Sequence, residues 1–556
     1  MEAAASLSPG EGADPATWTL GWLTPRRCRL ILIAVLTAGF LGHLWYLTHD
    51  CPIDLSGDEA HYWDWSRQLG LSYYSKGPLV AYLIRASCAV FGDSMPAVRL
   101  PALLLAAATS LLTYWLTVRL FASERLALGA VLMTHLVPMF IAGSVLMTID
   151  PPFYFCWAAA TCLAAKAVLD ESRWAWVGVG IAIGVGFLAK YAMFLWLPGL
   201  LLFLGLDPPS RHWLRSPWPW LAMAIAMLFT APVIVWNALH GWPSLWHVAR
   251  QTGTDADGSF TLGYLGDFLG GQLAGLGPFT GIIIIGAVLH ALGARREGSA
   301  ATRFLLCMAL PFWLIVALTS LRTKVQVNWP APAYFTLLVL AARFLSTRMR
   351  APEHWRPWRG IFWGMVGTGL LVIPIAHNTE WLYRPLDRLA RMTPWGRQHG
   401  LPPRQWDPTY RLRGWRELGA RVSAELARLR PGAMVICERY DVAAEMAFYV
   451  DGQPRTFYVG SWFADPDRRA RRSQYDYWPD RSLDRPDLLG LDAIFIGYGQ
   501  RHTDDSNAPA DIVAAFARVE RLEPLDIQRG GLSIRSFRLW RCIGFRGMRR
   551  PAEASF

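Results

Sequence analysis

The chain has 556 residues, of which 53% are hydrophobic and only 17% are charged, and its formal net charge is +12. This balance excludes an ordinary soluble protein, and the 28 tryptophans fit helix ends at lipid–water boundaries. A nucleic-acid partner is not expected, because the positive charge is spread over loops rather than gathered on one surface. Composition therefore indicates a polytopic membrane protein.

The predicted membrane-spanning helices come first along the chain. Each needs about 20 apolar residues, because the hydrocarbon core is about 30 Å thick and each residue rises about 1.5 Å. About eleven stretches approach this length: 29–47, 97–118, 126–147, 153–169, 174–189, 191–206, 218–236, 264–292, 303–320, 330–346 and 360–377. The two stretches beside Lys190 are short, so we expect them to tilt, re-enter or merge.

The positions of lysine and arginine predict the orientation of these spans, since short positively charged loops stay in the cytoplasm. The arginine-bearing loops alternate along the chain, beginning before the first span. The N-terminal segment, 1–28, is thus predicted to be cytoplasmic. The first loop, 48–96, is predicted to face outward. After an odd number of spans, the tail is predicted to lie outside as well.

The tail, 378–556, differs from the transmembrane domain predicted for residues 29–377, because it is polar and rich in arginine. Short apolar runs alternate with helix-like segments, the runs at 433–437, 456–459, 492–496 and 532–540 and the helices at 414–429 and 511–522. This alternation predicts a small extracytoplasmic α/β domain of about 150 residues.

The first outer loop is unusual for a connector, because residues 55–85 hold two adjacent acids, a lysine and many aromatic residues. The pattern predicts two amphipathic helices at the membrane surface, joined by a Gly-Pro turn. Ser56 and Glu59 fit a capping box, with Ser56 as the N-cap. Capping is one explanation for both acids. Since one acid is enough for a cap, Asp58 is also a candidate general base.

One side of the helix after this cap carries Asp58, Tyr62, Trp65 and Leu69, at spacings of four, three and four residues. A sugar ring fits under such aromatic side chains, so Tyr62 and Trp65 are candidate substrate-binding residues. Lys76 follows a short turn later and has two interpretations. It is either a lysine that reaches the membrane interface or a ligand for a phosphate leaving group, and its closeness to the acids favours the phosphate.

Four further candidates lie on loops predicted to face outward. Asp150 precedes two prolines and is a candidate helix cap and a candidate second catalytic acid, two roles that can coexist. Lys190 interrupts a long apolar stretch, where a lysine is costly unless it pairs, so we expect it to face Asp150 or a phosphate. His240 and Asn328 each lie beside a tryptophan and are equally compatible with an interfacial loop or a cap.

Together these motifs resemble the GT-C-fold glycosyltransferases that use polyprenyl-phosphate sugars, especially the bacterial family 39 branch of protein O-mannosyltransferases and lipid A aminoarabinose transferases. The resemblance spans roughly residues 29–345 and is carried by Gly57-Asp58-Glu59-Ala60-His61-Tyr62-Trp63, Tyr73-Tyr74, Gly77-Pro78-Leu79, Thr148-Ile149-Asp150-Pro151, Phe187-Leu188-Ala189-Lys190-Tyr191, Trp236-Asn237-Ala238-Leu239-His240-Gly241-Trp242 and Asn328-Trp329-Pro330-Ala331-Pro332. The chain departs from the family at Ser75-Lys76, where Asp-His is common, which leaves the donor sugar open.

The resemblance implies an inverting transferase of a bacterial inner membrane, with Asp58 as the base, Asp150 as the second acid, and Lys76 and Lys190 at the phosphate. Glu59 is either a cap or a partner of Asp58. Asp58, Glu59 and Asp150 are also candidate ligands of a divalent cation, and no other cofactor is expected. The expected partners are a polyprenyl-phosphate-linked sugar donor, membrane lipid and a cell-envelope acceptor, which is lipid A, another glycan, a lipid or a protein.

Two alternatives of other classes remain. One is a membrane transporter or lipid flippase, and the other is a non-catalytic envelope scaffold whose tail binds a partner. A transporter needs ionisable groups near the bilayer midplane, whereas the polar candidates of this chain gather at one predicted surface. The sequence therefore favours the transferase.

Overall fold

The structure is a computed structural model that describes residues 22–252, 261–293, 299–350, 355–497 and 507–551. Most of the N-terminal segment predicted over 1–28 lies outside these residues. The helices, in chain order, are α1 Pro25–Thr48, α2 Gly57–Ser66, α3 Leu79–Phe91, α4 Met95–Phe121, α5 Glu124–His135, α6 Pro138–Val145, α7 Asp150–Leu169, α8 Arg173–Ala189, α9 Leu197–Leu206, α10 Pro217–Leu228, α11 Ala231–His240, α12 Pro243–Gln251, α13 Leu262–Leu276, α14 Pro278–Gly293, α15 Ala300–Thr319, α16 Ala333–Arg348, α17 Trp355–His377, α18 Tyr383–Arg391, α19 Pro394–His399, α20 Trp415–Leu426, α21 Tyr440–Tyr449 and α22 Ala510–Ala515.

Several helices begin at local signals in the sequence. Ser123, Ser216, Thr261 and Ser299 each accept a hydrogen bond from a backbone N–H in the first turn of the helix that follows. Such N-caps satisfy N–H groups that have no partner within the helix. The apolar helices therefore have defined starting points without help from distant residues.

The described residues contain six helices that are long and apolar enough to cross a membrane, or up to nine spans if each of three bent pairs counts as one. The multi-pass helical architecture is thus confirmed, while the number of eleven spans stays a prediction. Residues 264–292, predicted as one span, form α13 and α14 at an angle of 107°. The bend falls where Gly277 has φ of 80° and Pro278 starts the next helix.

The tail is an α/β domain, as predicted, and its sheet is mixed. Its strands are β1 Met434–Cys437, β2 Thr456–Tyr458, β3 Ala493–Gly497, β4 Phe516–Arg521, β5 Leu525–Arg529 and β6 Leu532–Phe545. The order is β2-β1-β3-β6-β4, with β5 paired to β6. β1 is parallel to β2 and β3, and β6 is antiparallel to β3, β4 and β5. The four predicted apolar runs are all strands.

The helix predicted for residues 511–522 of the tail is correct in its first part and wrong in its second. Only Ala510–Ala515 is helical, and the chain then continues as β4, in which Phe516 pairs with Phe545 and Arg521 with Trp540 of β6. Pairing with the long β6 overrides the local helical pattern, as tertiary context commonly does. The strand β5 was not predicted.

The chain forms two compact units. The first, called the membrane unit, consists of Met1–Tyr46, Arg99–Ile234 and Ala249–Ala376, and the second, called the sheet unit, of Leu47–Val98, Val235–Val248 and His377–Phe556. The domain boundaries predicted from the sequence stay predictions. The structure adds that the first outer loop packs within the same unit as the sheet of the tail.

Candidate functional site

The first turn of α2 separates the two adjacent acids. Ser56 and Glu59 form the predicted capping box, in which the Glu59 N–H donates to Ser56 Oγ at 3.2 Å and the Ser56 N–H donates to Glu59 Oε2 at 2.9 Å. Glu59 is fully buried, whereas Asp58 is exposed. Glu59 therefore stabilises the helix start, and the carboxylate of Asp58 is presented at the surface of the sheet unit.

The predicted aromatic side of α2 is only partly realised. Tyr62 and Trp65 are buried, and the indole of Trp65 stacks on Tyr73 with ring centres 4.3 Å apart. The helix ends at Ser66, so Leu69 lies beyond it and does not extend this side. Contact of Tyr62 and Trp65 with a sugar stays a prediction.

Asp64, which the sequence did not single out, fastens α2 to the tail. Its Oδ2 accepts a hydrogen bond from Tyr475 Oη at 2.8 Å, and its Oδ1 lies 3.1 Å from Arg481 Nη2. The side chains of Asp64 and Arg481 are 0% and 1% exposed. Because Arg481 lies 417 positions further along the chain, no local pattern signals this ion pair.

Similar bonds hold the first outer loop on both sides of α2. Before α2, the Trp415 N–H donates to Asp54 Oδ2 at 2.8 Å, and burial raises the pKa of Asp54 despite the nearby arginine Arg416. After α2, the Tyr74 N–H donates to Gln474 Oε1 at 2.7 Å. The segment that carries Asp58 is thus fixed by the tail before, within and after α2.

The start of α21 packs closely against the start of α2. A Cβ atom at Gly57 would lie 2.7 Å from Cβ of Asp441, so this approach requires glycine. Tyr440 contacts His61, with ring centres 4.9 Å apart. Burial, followed by the charge of Asp58, raises the pKa of Tyr440 to about 12. Tyr440 is therefore an electrostatic neighbour of Asp58 that the sequence did not reveal.

Lys76 and His240 also belong to the sheet unit. Lys76 is half-buried in a tight turn, where its carbonyl accepts a hydrogen bond from the Tyr73 N–H at 3.2 Å, and α3 begins just after this turn as predicted. The His240 ring stacks on Trp236 at 4.2 Å, and its Nδ1 lies 2.7 Å from the Trp236 carbonyl oxygen. Substrate contacts of both residues stay predictions.

The membrane unit brings together three predicted residues, Asp150, Lys190 and Asn328, which we call the Asp150 centre. Lys190 Nζ donates to Asp150 Oδ1 at 2.9 Å, and Asn328 Nδ2 donates to Asp150 Oδ2 at 2.6 Å. The expected pairing of Lys190 with Asp150 is confirmed. The capping interpretation of Asp150 is wrong, because α7 has Ile149 at its N-cap without a side-chain capping bond.

The local sequence explains how Lys190 reaches this centre. Lys190 ends α8 in an extended conformation, with φ of −151° and ψ of 126°, and a short 3₁₀ turn follows. Its Nζ also lies 5.3 Å from the centre of the Phe153 ring, within the range of a cation–π contact. The side chains of Lys190 and Asp150 are 17% and 26% exposed, so the pair remains accessible.

A polar relay supports the loop that carries Asn328. Gln272 Nε2 donates to the Val327 carbonyl oxygen at 3.1 Å, and Tyr334 Oη donates to Gln272 Oε1 at 2.9 Å. Trp313 Nε1 in turn donates to Tyr334 Oη at 3.0 Å. Gln272 is nearly fully buried, and no local pattern signals it because its partners Val327 and Tyr334 lie on a distant loop and another helix.

The residues proposed as ligands of a divalent cation already have other partners. Glu59 Oε2 accepts from the Ser56 N–H, and both oxygens of Asp150 accept from Lys190 and Asn328. In the part of the chain that the structure describes, no group of three His, Cys, Asp or Glu residues is arranged to hold a metal ion. A divalent cation bound by Asp58, Glu59 and Asp150 stays a prediction.

One protein-family model and several known proteins are similar in sequence to parts of this chain. Residues 75–236 match the family model of dolichyl-phosphate-mannose-protein mannosyltransferase. The chain is 28% identical over 299 residues to the lipid A galacturonosyltransferase RgtD of Rhizobium johnstonii, covering 52% of this chain and 61% of that protein. It is 26% identical over 376 residues to an undecaprenyl phosphate-alpha-4-amino-4-deoxy-L-arabinose arabinosyl transferase of Pseudomonas fluorescens, covering 62% and 61%. The chain thus spans about three fifths of the length of these relatives.

Solved structures extend the likeness to nearly the whole chain. ArnT from Cupriavidus metallidurans in the apo state superposes with a TM-score of 0.60 at 15% identity, covering 94% of this chain and 98% of that one. The same protein bound to undecaprenyl phosphate gives a TM-score of 0.59 at 15% identity, covering 92% and 97%. At this identity the likeness establishes a shared fold, and the predicted resemblance is confirmed at that level.

Proposed function

We propose that this chain, which has the fold of the GT-C glycosyltransferases, moves a sugar from a polyprenyl-phosphate carrier to a hydroxyl group of a cell-envelope acceptor. The similarity to a lipid A galacturonosyltransferase and to undecaprenyl phosphate aminoarabinosyl transferases supports this activity and a lipid A-type acceptor. The names of these relatives refer to different sugars. The proposal therefore specifies a sugar linked to polyprenyl phosphate but not which sugar it is.

The proposed site of the reaction is the outer face of a bacterial inner membrane. The alternation of arginine-bearing loops supports a cytoplasmic N-terminus and an extracytoplasmic tail. The sheet unit, which contains Asp58, then lies outside the cytoplasm, where lipid-linked donors and envelope acceptors meet.

The observation that carries the proposal is the division of the acidic pair in α2. Glu59 is buried in the capping box, and Asp58 is exposed in the first helical turn. The oxygen of the acceptor hydroxyl attacks the anomeric carbon of the sugar, and Asp58 accepts the proton that this hydroxyl loses. The bond from that carbon to the phosphate oxygen breaks, the polyprenyl phosphate leaves, and the configuration inverts. A positioned base typically contributes about 10²–10⁴ in rate.

The Asp150 centre is proposed to stabilise the leaving group. A lysine ammonium has three N–H donors, and one of those of Lys190 bonds to Asp150. The others are suited to a phosphate oxygen on which negative charge develops in the transition state. Lys76 is proposed as a second phosphate ligand, and Tyr62, Trp65, His240 and Asn328 as substrate-binding residues.

The test uses purified protein, a labelled undecaprenyl-phosphate sugar and lipid A as acceptor. We expect Asp58→Asn to lower transfer by about 10²–10⁴, because the amide keeps the shape of the side chain but cannot accept the proton. Asp487→Asn is the matched control, since that side chain is 60% exposed in the same unit and pairs with Arg485.

The outcomes separate the alternatives. Near-normal transfer by Asp58→Asn, with an unchanged melting temperature, contradicts the assignment of the base. Wild-type protein that translocates the labelled lipid but leaves its sugar–phosphate bond intact is a transporter or flippase. Wild-type protein that neither cleaves nor moves the donor fits the scaffold.

A further inference from the structure

Arg471 is an exposed arginine of the sheet unit that lies beside Tyr440 at the start of α21. Arginines across this unit form ion pairs with carboxylates, among them Arg413, Arg416, Arg430, Arg439, Arg481, Arg529, Arg541 and Arg550. Arg471 has no carboxylate partner within the described residues. Its guanidinium instead lies 5.7 Å from the centre of the Tyr440 ring, and its Nη2 lies 3.4 Å from Tyr440 Oη.

The backbone of Arg471 is fixed although its side chain has no carboxylate partner among the described residues. Tyr458 Oη donates to the Arg471 carbonyl oxygen at 2.7 Å. Arg471 itself is exposed. A guanidinium has five N–H donors, and the one bond to Tyr440 leaves most of them available. Such a planar fork on an aromatic ring is pre-organised for a bidentate phosphate or carboxylate.

The position of Arg471 connects it to the proposed base. Tyr440 starts α21, and α21 meets the start of α2 at the close approach of Gly57 to Asp441. The charge of Asp58 also contributes to the raised pKa of Tyr440. An anionic group bound by Arg471 would therefore lie on the same side of the sheet unit as Asp58.

We propose that Arg471, held against Tyr440, binds an anionic group, a phosphate or a carboxylate, of the substrate that reacts beside Asp58. This inference rests on the proposed function, because it assigns the anion to one of the two substrates. The anion has two sources, the phosphate of the donor and an acidic group of the acceptor. Either source uses the same fork of N–H donors.

The experiment has a binding arm and a turnover arm, both with the full chain in detergent or nanodiscs. The binding arm measures the affinities for undecaprenyl phosphate and for lipid A. The turnover arm measures KM for intact lipid A and for lipid A treated with phosphatase. The variants are Arg471→Ala and Arg471→Lys, and the matched control is Arg518→Ala, whose side chain is 73% exposed and pairs with Glu520.

We expect Arg471→Ala to weaken the binding of one substrate by about tenfold or more, because the substitution removes charge-assisted hydrogen bonds. Arg471→Lys should recover part of the loss, since a lysine keeps the charge without the bidentate fork. Weaker binding of undecaprenyl phosphate identifies the donor. A raised KM for intact lipid A alone, absent after phosphatase treatment, identifies an acceptor phosphate. A raised KM for both forms of lipid A identifies a carboxylate or another acidic group of the acceptor.

Unchanged affinities and KM values in Arg471→Ala overturn the inference. If Arg471→Ala does not fold, Arg471→Lys decides the question, and unchanged binding by that variant overturns it equally. If the wild-type protein binds these lipids more tightly than Arg471→Ala does but transfers no sugar, the proposed function is contradicted, while the binding of an anion by Arg471 is not. The two failures are therefore distinguishable.

Discussion

The two units treat their charged groups in different ways. In the membrane unit, Asp150 and Lys190 neutralise each other and remain 26% and 17% exposed. In the sheet unit, Asp64 and Arg481 form an ion pair that is fully buried, while Asp58 stays at the surface six residues away. The first arrangement keeps a cation accessible to a ligand, and the second fixes a helix in place.

This contrast gives the tail a structural role. Two acids of the first outer loop, Asp54 and Asp64, are bound by Trp415 and Arg481, which lie more than 350 positions further along the chain. These bonds hold both the approach to α2 and the helix itself. The tail therefore holds the segment that carries Asp58 in place.

The largest expected effect comes from breaking the buried pair. Arg481→Ala should destabilise the sheet unit by at most about 3–5 kcal/mol, because Asp64 would lose its buried partner and keep only the 3.5 Å contact with Arg67, whose side chain is 28% exposed. The measurement is thermal or denaturant unfolding of the purified protein. Arg485→Ala is the control, since its partner Asp487 is 60% exposed and such surface pairs contribute about 0–1 kcal/mol. Equal losses in the two variants would show that the buried pair has no special role.

The accessible pair should respond in the opposite manner, with a loss of activity rather than stability. Lys190→Met should lower kcat by about 10- to 100-fold, because hydrogen bonds to charged groups are worth about 1.5–3 kcal/mol. Its melting temperature should fall less than that of Arg481→Ala. Transfer assays with Lys166→Met, an exposed lysine on α7, provide the control. A fully active Lys190→Met protein would remove the Asp150 centre from the mechanism.

A smaller effect is expected for Gln272, a buried residue that acts by positioning the loop of Asn328. Gln272→Leu removes the bond to Val327 and leaves Tyr334 Oη without its acceptor, so the loop that carries Asn328 should be less well positioned. We expect kcat/KM to fall about tenfold, corresponding to about 1–2 kcal/mol for lost neutral hydrogen bonds. Asn328→Ala is the reference. Gln272→Leu should have no further effect in the Asn328→Ala background, and additive losses would contradict the positioning role.

The sequence predicted those features whose cause is local. The capping box of Ser56 and Glu59 spans four residues, and the apolar strand runs are bounded by polar residues, so both appear in the one-dimensional pattern. The pairing of Lys190 with Asp150 was also accessible, because a lysine in an apolar stretch requires a partner.

The features that escaped the sequence depend on distant residues. Arg481 contacts Asp64 across 417 positions, and Gln272 acts through a carbonyl 55 positions away. The contact of Arg471 with Tyr440 joins residues 31 positions apart. The strand β4 was read as helix because its register is set by β6 and not by its own residues.

The smallest expected effect concerns Glu445, a buried acid of α21 whose carboxylate oxygens have no hydrogen-bond partner among the described residues. Burial first, and then the charges of Asp54, Glu59 and Asp441, raise its pKa well above the ordinary value, against the opposing charge of Arg535. The folded protein therefore keeps a proton on Glu445 at pH values where the unfolded chain has lost it. Stability from this residue is complete below the ordinary glutamate pKa and falls as pH rises toward the raised one.

Glu445→Gln should abolish this dependence, because the amide is neutral in both states. We expect the variant to melt at least about 2 °C above the wild type at pH 8, since about 1 kcal/mol shifts the melting temperature by about 2–4 °C in a domain of this size. The difference should shrink as pH approaches 4. Melting curves at a series of pH values check this, with Glu417→Gln, an acid paired with Arg529, as the control. Parallel wild-type and Glu445→Gln curves would mean that Glu445 is ionised in the folded protein, and the sheet unit would then hold a buried charge without a bonded partner.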